Sequence, residues 1–160
     1  MVKINEDSIK VLCLTHQILY SKKPIISLET ILYILILCLF IACIIPYLAK
    51  IPVAIAMKNE PKGYDNEQPR AQQARLTDFG ARALAAHQNS FESLIIFSAA
   101  VLTALVTQNI TYTTQALAMF YLVTRGIYHL FYLLNWATLR SIVWALGLVA
   151  SLRMIWLCLP

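Results

Sequence analysis

The chain has 160 residues, of which 59% are hydrophobic and 13% are charged. Soluble domains are about half apolar and about a quarter charged, and a chain this short has little interior in which to bury the excess. The composition therefore excludes an ordinary soluble domain and indicates a membrane protein. The net charge is +5, but the basic residues lie mostly in polar segments outside the apolar runs. This distribution predicts contacts with lipid headgroups and no binding of nucleic acid.

Residues 1–27 form an extension of mixed polarity before the first apolar stretch. Its charges are scattered, and the apolar run that follows is too long and lacks a clear small-residue cleavage site for a signal peptide. We expect a surface helix or a disordered tail, with the membrane domain covering residues 28–160.

Four apolar stretches follow in chain order, and each is long enough to cross a bilayer, which takes about 20 residues. They cover residues 30–57, 82–107, 112–134 and 140–159. Pro46 lies inside the first stretch and predicts a kink there. The pattern predicts an all-α integral membrane protein built as a bundle of four transmembrane helices.

The segment 58–81 is the only long polar stretch and is predicted to be a loop outside the membrane. With four spans, both termini lie on one side of the membrane, and this loop lies on the other with the turn at 135–139. Basic residues number five on the loop side, counting Arg140 at the start of the fourth span, and four on the terminal side. The positive-inside rule therefore slightly favours a cytoplasmic loop.

The cysteines do not predict a metal or redox site. Cys13, Cys38, Cys43 and Cys158 form no CxxC pair and no cluster with histidine. Metal and redox sites require closely spaced ligand pairs. Isolated cysteines in apolar runs act as small apolar side chains. We therefore predict no bound metal ion.

Charged side chains also occur inside the second and third spans, where they are costly to bury and are a default sign of function. At a rise of about 1.5 Å per residue, Glu92 lies roughly 15 Å along its helix from Arg82. By the same rise, Arg125 lies roughly 13 Å from the end of the next helix, which runs in the opposite direction. Glu92 and Arg125 therefore lie at similar depths. They predict either a structural ion pair or part of a functional cleft.

Helical periodicity places the polar residues of these two spans on stripes that can face each other. The stripes contain Arg82, Asn89, Glu92, Arg125, Tyr128 and Tyr132, and Arg140 begins the fourth span at the same surface. They predict a cleft, open toward the long loop, that binds an anionic or amphipathic small molecule. Arginines would attract its carboxylates, and Asn89 would orient it by hydrogen bonds. The alternative for the tyrosines is anchoring at the membrane interface.

Two runs of the sequence resemble the MAPEG family, the membrane-associated proteins in eicosanoid and glutathione metabolism. They are RALAAHQNSFESLIIF, residues 82–97, and LVTRGIYHLFYLLNWATLRSIVWALG, residues 122–147. Both are most similar to motifs of the bacterial inner-membrane branch. The resemblance implies a left-handed four-helix bundle, assembled as a homotrimer, with glutathione bound between subunits near the cytoplasmic surface. It also implies glutathione transfer, peroxide reduction or eicosanoid formation as the activity.

The resemblance assigns roles to residues of the predicted cleft. Asn89 and Glu92 match the asparagine and glutamate of the second-helix motif. Tyr128 and Tyr132 match the paired tyrosines of the third helix, and Arg125 matches an arginine one turn earlier. These five residues are therefore expected to bind glutathione.

Arg140 lies about where the family has the arginine that stabilises the glutathione thiolate, although the preceding turn is one residue longer here. Two positions depart from the family pattern. Ala85 stands where glutathione-using members have an arginine, and Ser93 stands where the leukotriene-forming member has a tyrosine. Arg82, one turn from Ala85 on the same stripe, is the candidate substitute.

Two functions remain open at this point. The first is a glutathione-dependent transferase or peroxidase for lipophilic electrophiles, with Arg140 as the catalytic residue and Arg82 or Arg125 holding the carboxylates. The second is a non-catalytic membrane protein on the same scaffold that binds a lipid or a partner protein, which Ala85 favours. A transporter would need a continuous polar path, and the far halves of the spans are almost wholly apolar.

Overall fold

The computed structural model describes residues 27–160, so residues 1–26 of the predicted extension lie outside the described residues. Within that range the chain is helical, with no strand. The helices are α1 (Leu28–Lys58), α2 (Pro69–Ala74), α3 (Asp78–Val106), α4 (Tyr112–Leu133) and α5 (Ala137–Trp156). All except α2 are long and apolar enough to cross a membrane. The predicted all-α class with four spanning helices is confirmed.

α1 is one helix, although Pro46 and Pro52 both lie inside it. A proline removes one backbone hydrogen bond, and neighbouring helices can offset such losses in a membrane. The ring of His87 in α3 packs against α1 beside Pro46, with its Nδ1 atom donating to the carbonyl oxygen of Pro46 at 2.9 Å. This carbonyl is not the one that the proline leaves without its helix partner, so the bond is an additional contact between the two helices. α1 and α3 therefore form one of the two closely packed helix pairs.

The polar segment between α1 and α3 is more structured than predicted, because α2 lies within it and α3 begins four residues before its predicted start. One buried side chain organises the segment. Nε2 of Gln72 donates to the carbonyl oxygens of Gly63 at 2.7 Å and Met57 at 3.1 Å. Its Oε1 accepts the backbone N–H of Asp65 at 2.9 Å. A single amide thus ties the end of α1 to the loop and to α2.

Tight turns before and after α4 keep the last three spans antiparallel. The second residue after the end of α3 and of α4 has a positive φ, 56° at Gln108 and 61° at Asn135. The N–H of Trp136 donates to the carbonyl of Phe131 at 2.9 Å, which completes a Schellman motif at the end of α4. Thr111 begins α4 with a capping box.

α4 and α5 form the other closely packed pair. A Cβ atom on Gly147 would lie only 2.8 Å from Oγ1 of Thr124, so this crossing requires glycine. Arg140 lies seven residues earlier on α5, which is about two helical turns. The close contact at Gly147 therefore fixes which face of α5 carries Arg140 toward α4.

The continuous apolar core lies in the far half of the bundle, away from the long loop. Phe97 of α3 stacks on Tyr121 of α4, with ring centroids 3.8 Å apart and planes 4° apart. The aliphatic side chains buried around them include Leu35, Ala100, Val101, Ala118 and Met154. At the far surface, the side chain of Asn109 donates to the carbonyl of Leu157 and so ties the turn before α4 to the end of α5.

Candidate functional site

Two arginines each lie over a tyrosine ring on one face of α4. The guanidinium carbon of Arg125 lies 4.3 Å from the ring centroid of Tyr128. That of Arg140, which comes from α5, lies 4.1 Å from the ring centroid of Tyr132. Such cation–π contacts stabilise a guanidinium in an apolar setting. Because Tyr132 follows Tyr128 by one turn, the two arginines lie at successive depths.

These arginines line two neighbouring cavities that share Asn89 and Trp144. The outer cavity, nearer the long loop, has a volume of about 390 Å³. Its other lining residues are Tyr128, Tyr132, Arg140, Ser141 and Ala145. The inner cavity has a volume of about 180 Å³. Its other lining residues are Glu92, Ser93, Ile96, Tyr121, Arg125, Leu148 and Ser151. The structure therefore brings together six of the seven predicted site residues.

Arg82 is the exception, because it lines neither cavity. Its Nε atom is buried and has no hydrogen-bond partner. A ligand contact by Arg82 in place of the arginine missing at Ala85 therefore stays a prediction.

The ion pair considered between Glu92 and Arg125 is not formed among the described residues. Oε2 of Glu92 instead accepts a hydrogen bond from Nδ2 of Asn89 at 2.9 Å, and Arg125 packs on Tyr128. Glu92 is exposed, whereas Arg125 is buried with only 2% of its surface accessible. Glu92 bonds to the amide of Asn89 and not to Arg125, because Asn89 lies only one turn away on the same helix, whereas Arg125 is on another helix.

Buried polar atoms of two residues that line the inner cavity have no hydrogen-bond partner within the protein. They are Nε and Nη2 of Arg125 and Oδ1 of Asn89. An unsatisfied buried polar group costs about 1–3 kcal/mol, and more when it is charged. The site therefore favours a ligand that supplies both an acceptor for Arg125 and a donor for Asn89.

Hydroxyl groups form the far wall of the inner cavity. Tyr121 donates to Oγ of Ser93 at 3.1 Å, and Ser93 donates to the backbone carbonyl of Ser90 at 3.1 Å. Ser93, the position at which the sequence departs from the leukotriene-forming pattern, thus holds the Tyr121 hydroxyl in place. The wall is polar but uncharged, and it closes the site toward the apolar core.

His129 also lies on the third span, but it lines neither of the two cavities and instead contacts Ser90. The hydroxyl of Ser90 donates its proton to the carbonyl of Ala86 at 2.8 Å, so it accepts from Nε2 of His129, which lies 3.0 Å away. This bond joins α3 to α4 on a face that does not line the outer or the inner cavity. His129 is accordingly a helix-packing residue.

The sequence reasoning missed the contribution of α5 beyond Arg140. Ser141, Trp144, Leu148 and Ser151 all line the cavities. Their spacing of three and four residues is that of one helical face. Because most of these side chains are apolar or small, the face resembles an ordinary lipid-facing or packing stripe in the sequence.

The arrangement suits the binding of a small anion. Among the described residues, no group of three His, Cys, Asp or Glu side chains is placed to hold a metal ion. Two guanidinium groups at different depths, with hydroxyl and amide groups between them, can instead hold a small anionic molecule in an extended pose.

No curated protein and no solved structure matches the chain. The model of the MAPEG family matches residues 34–160. This range contains most of α1, all of the other spanning helices and every residue that lines the two cavities. Because the match covers well over half of the sequence, the chain belongs to the MAPEG family.

Proposed function

We propose that this protein is a glutathione-dependent transferase or peroxidase that acts on lipophilic electrophiles. The observation that carries the proposal is the placement of Arg125 and Arg140 at two depths of adjoining cavities, together with the unpaired buried atoms of Arg125 and Asn89. A purely structural role for Arg125 would have paired these atoms within the protein.

The chemistry of the lining residues fits glutathione, a tripeptide with two carboxylates, one ammonium group and a thiol. Arg125 offers the N–H groups of two unpaired nitrogen atoms to a carboxylate, and Glu92 nearby offers a carboxylate to an ammonium group. The pair therefore suits the zwitterionic end of the peptide. Oδ1 of Asn89 can accept a peptide N–H. The outer cavity has the size typical of small-molecule sites.

Arg140 is the residue proposed to control reactivity. Bound glutathione would supply a sulfur nucleophile, but a thiol of pKa about 8.5 is mostly protonated near neutral pH. A guanidinium beside the sulfur favours the thiolate, and Tyr132 holds the Arg140 group at the outer cavity. Trp144 and Ala145 of α5 provide an apolar surface beside it for a substrate that enters from the bilayer.

We also propose that the protein assembles as a homotrimer in the bacterial inner membrane, with the long loop cytoplasmic. Ser141 and Trp144, which line the site, are exposed on the single chain. A neighbouring subunit packed there would cover the outer cavity and exclude water from the bound thiolate. Light scattering of the detergent-solubilised protein, corrected for bound detergent, measures the number of chains.

The decisive experiment is glutathione binding to the purified protein, followed by calorimetry and by thiolate ultraviolet absorbance. We expect saturable binding with a thiolate signal for the wild type. Arg140→Leu should bind glutathione without that signal, whereas Arg153→Leu, at the far end of the same helix, should behave as the wild type. A full thiolate signal in Arg140→Leu would contradict the role proposed for Arg140.

The second candidate is a non-catalytic protein that uses the same cavities to bind a lipid or a partner protein. The observation that favours it is Ala85, since Arg82 lines neither cavity and the site is one arginine short of the glutathione-using pattern. Absence of binding at millimolar glutathione would support this candidate over the enzyme.

A further inference from the structure

A third cavity, of about 280 Å³, lies between α1, α3 and α4, beside a different face of α4 from the site. Ala49 and Pro52 of α1, Ala83 and Ala86 of α3 and Gly126 of α4 contribute to its walls. Almost no polar atom is exposed on its surface. It shares no lining residue with the outer or the inner cavity.

Small side chains create this space. A Cβ atom on Gly126 would meet no other atom within 4 Å, so the glycine is not required by close helix packing. Ala49, Ala83 and Ala86 also line the cavity, and larger apolar side chains, Ile45, Leu48 and Leu133, complete much of the remaining wall. His129 also lines the cavity, but its Nε2 atom is engaged by Ser90. The gap is therefore a property of side-chain size at the crossing of three helices.

The chemistry of the walls restricts the occupant to hydrocarbon. An apolar cavity does not hold water, and one of about 150 Å³ in another protein accepts benzene. By that scale this cavity accommodates roughly ten carbon atoms. Left empty, its walls would lose dispersion contacts. Its lining residues lie in the loop-side halves of α1 and α4, so the adjacent hydrocarbon is that of the leaflet nearer the long loop.

We propose that this cavity binds one acyl chain of a membrane phospholipid from the leaflet nearer the long loop. No charged residue lines the cavity, so recognition depends on the hydrocarbon chain and not on the headgroup. The bound chain fills the crossing of α1, α3 and α4, and it packs behind the helix that carries Arg125 and Tyr128. The proposal does not depend on glutathione chemistry.

Native mass spectrometry tests the proposal directly. Wild-type protein reconstituted in phosphatidylethanolamine and phosphatidylglycerol vesicles, then extracted in a mild detergent, should retain about one phospholipid per chain, irrespective of headgroup. Gly126→Leu fills the cavity from α4 and should lower this occupancy at least fivefold. The matched control is Val123→Leu, an apolar enlargement at an exposed position of the same helix, and it should retain the lipid.

Ala49→Leu fills the cavity from α1 and keeps the test decisive should Gly126→Leu fail to fold, as judged by circular dichroism. Equal occupancy in the wild type and in a folded filling variant would overturn the proposal, as would a wild type that retains no lipid. Dissociation of an oligomer by the filling variants, with no loss of lipid, would also overturn it. The cavity would then be a contact between copies of the chain.

Discussion

The two halves of the bundle are built differently. In the far half, Phe97 and Tyr121 stack within a continuous core of aliphatic side chains. In the loop-side half, α4 carries a buried arginine with unpaired atoms, and the two site cavities and the apolar cavity open between helices. The inner cavity marks the boundary between these halves.

The difference between the two halves explains how a small membrane protein can contain a site that lowers its stability. Unsatisfied buried groups and open cavities lower stability, and a well-packed region elsewhere in the same cooperative unit offsets that cost. Substitutions in the loop-side half should therefore change binding and catalysis with little loss of stability. Substitutions at the tight helix contacts should do the reverse.

The largest effect is expected for Arg140→Leu. Removing one preorganised charge from a reacting centre lowers kcat by about 10²–10³-fold, so conjugation should fall to near the background rate while the oligomer and the unfolding temperature are unchanged. Conjugation assays with a chromogenic electrophile measure this. Arg153→Leu is the control. An equal loss of rate in both variants would show that catalysis does not depend specifically on the loop-side half.

Arg125→Met should weaken glutathione binding by about 10- to 100-fold, because a hydrogen bond to a charged group contributes about 1.5–3 kcal/mol. The same change should leave stability equal or higher, since it removes a buried charge that lacks full pairing. Calorimetry and thermal unfolding of one sample measure both quantities. A large drop in unfolding temperature would instead assign Arg125 to the structural core.

Gly147→Ala should destabilise the protein by about 1–3 kcal/mol, because the added methyl group would lie 2.8 Å from Oγ1 of Thr124. Gly126→Ala adds the same methyl group where nothing lies within 4 Å, and it should cause no loss. Thermal unfolding in detergent compares the two variants. Equal effects would show that the α4–α5 contact is not the tight one.

The smallest effect is expected for Gln72→Ala, which removes three hydrogen bonds of the polar segment. Local stability of that segment should fall by at least about 1 kcal/mol, so proteolysis there should be at least roughly five times faster. Gln73→Ala is the neighbouring control. The unfolding temperature of the bundle should not change. A large shift would show that the polar segment contributes to the stability of the whole bundle.

The spanning helices were predictable because hydropathy and length alone determine them. Part of the cavity lining was predictable as a set of residues, since Asn89, Glu92 and Arg125 are polar side chains inside apolar spans. Their partners were not predictable. Whether Glu92 bonds to Asn89 or to Arg125 depends on side-chain reach across a helix pair, which periodicity does not give. The contribution of α5 to the cavity walls was not predictable either, because Trp144 has the sequence pattern of a lipid-facing residue.

The helix α2 and its organising glutamine escaped prediction for a different reason. Short polar segments have no apolar repeat, and Gln72 is buried because three backbone groups of the loop converge on its amide. Such a residue is defined by the fold of the segment around it. Neither its type nor its spacing distinguishes it in the sequence from the adjacent Gln73.

The tyrosine rings beneath the two arginines have an electrostatic consequence. A ring face attracts a cation without cancelling its charge, whereas a carboxylate partner would neutralise it. With Arg125, Arg140 and the single carboxylate of Glu92, the cavities keep a net charge of +1. Inorganic anions such as sulfate should therefore compete with any acidic ligand, and affinity should fall as ionic strength rises.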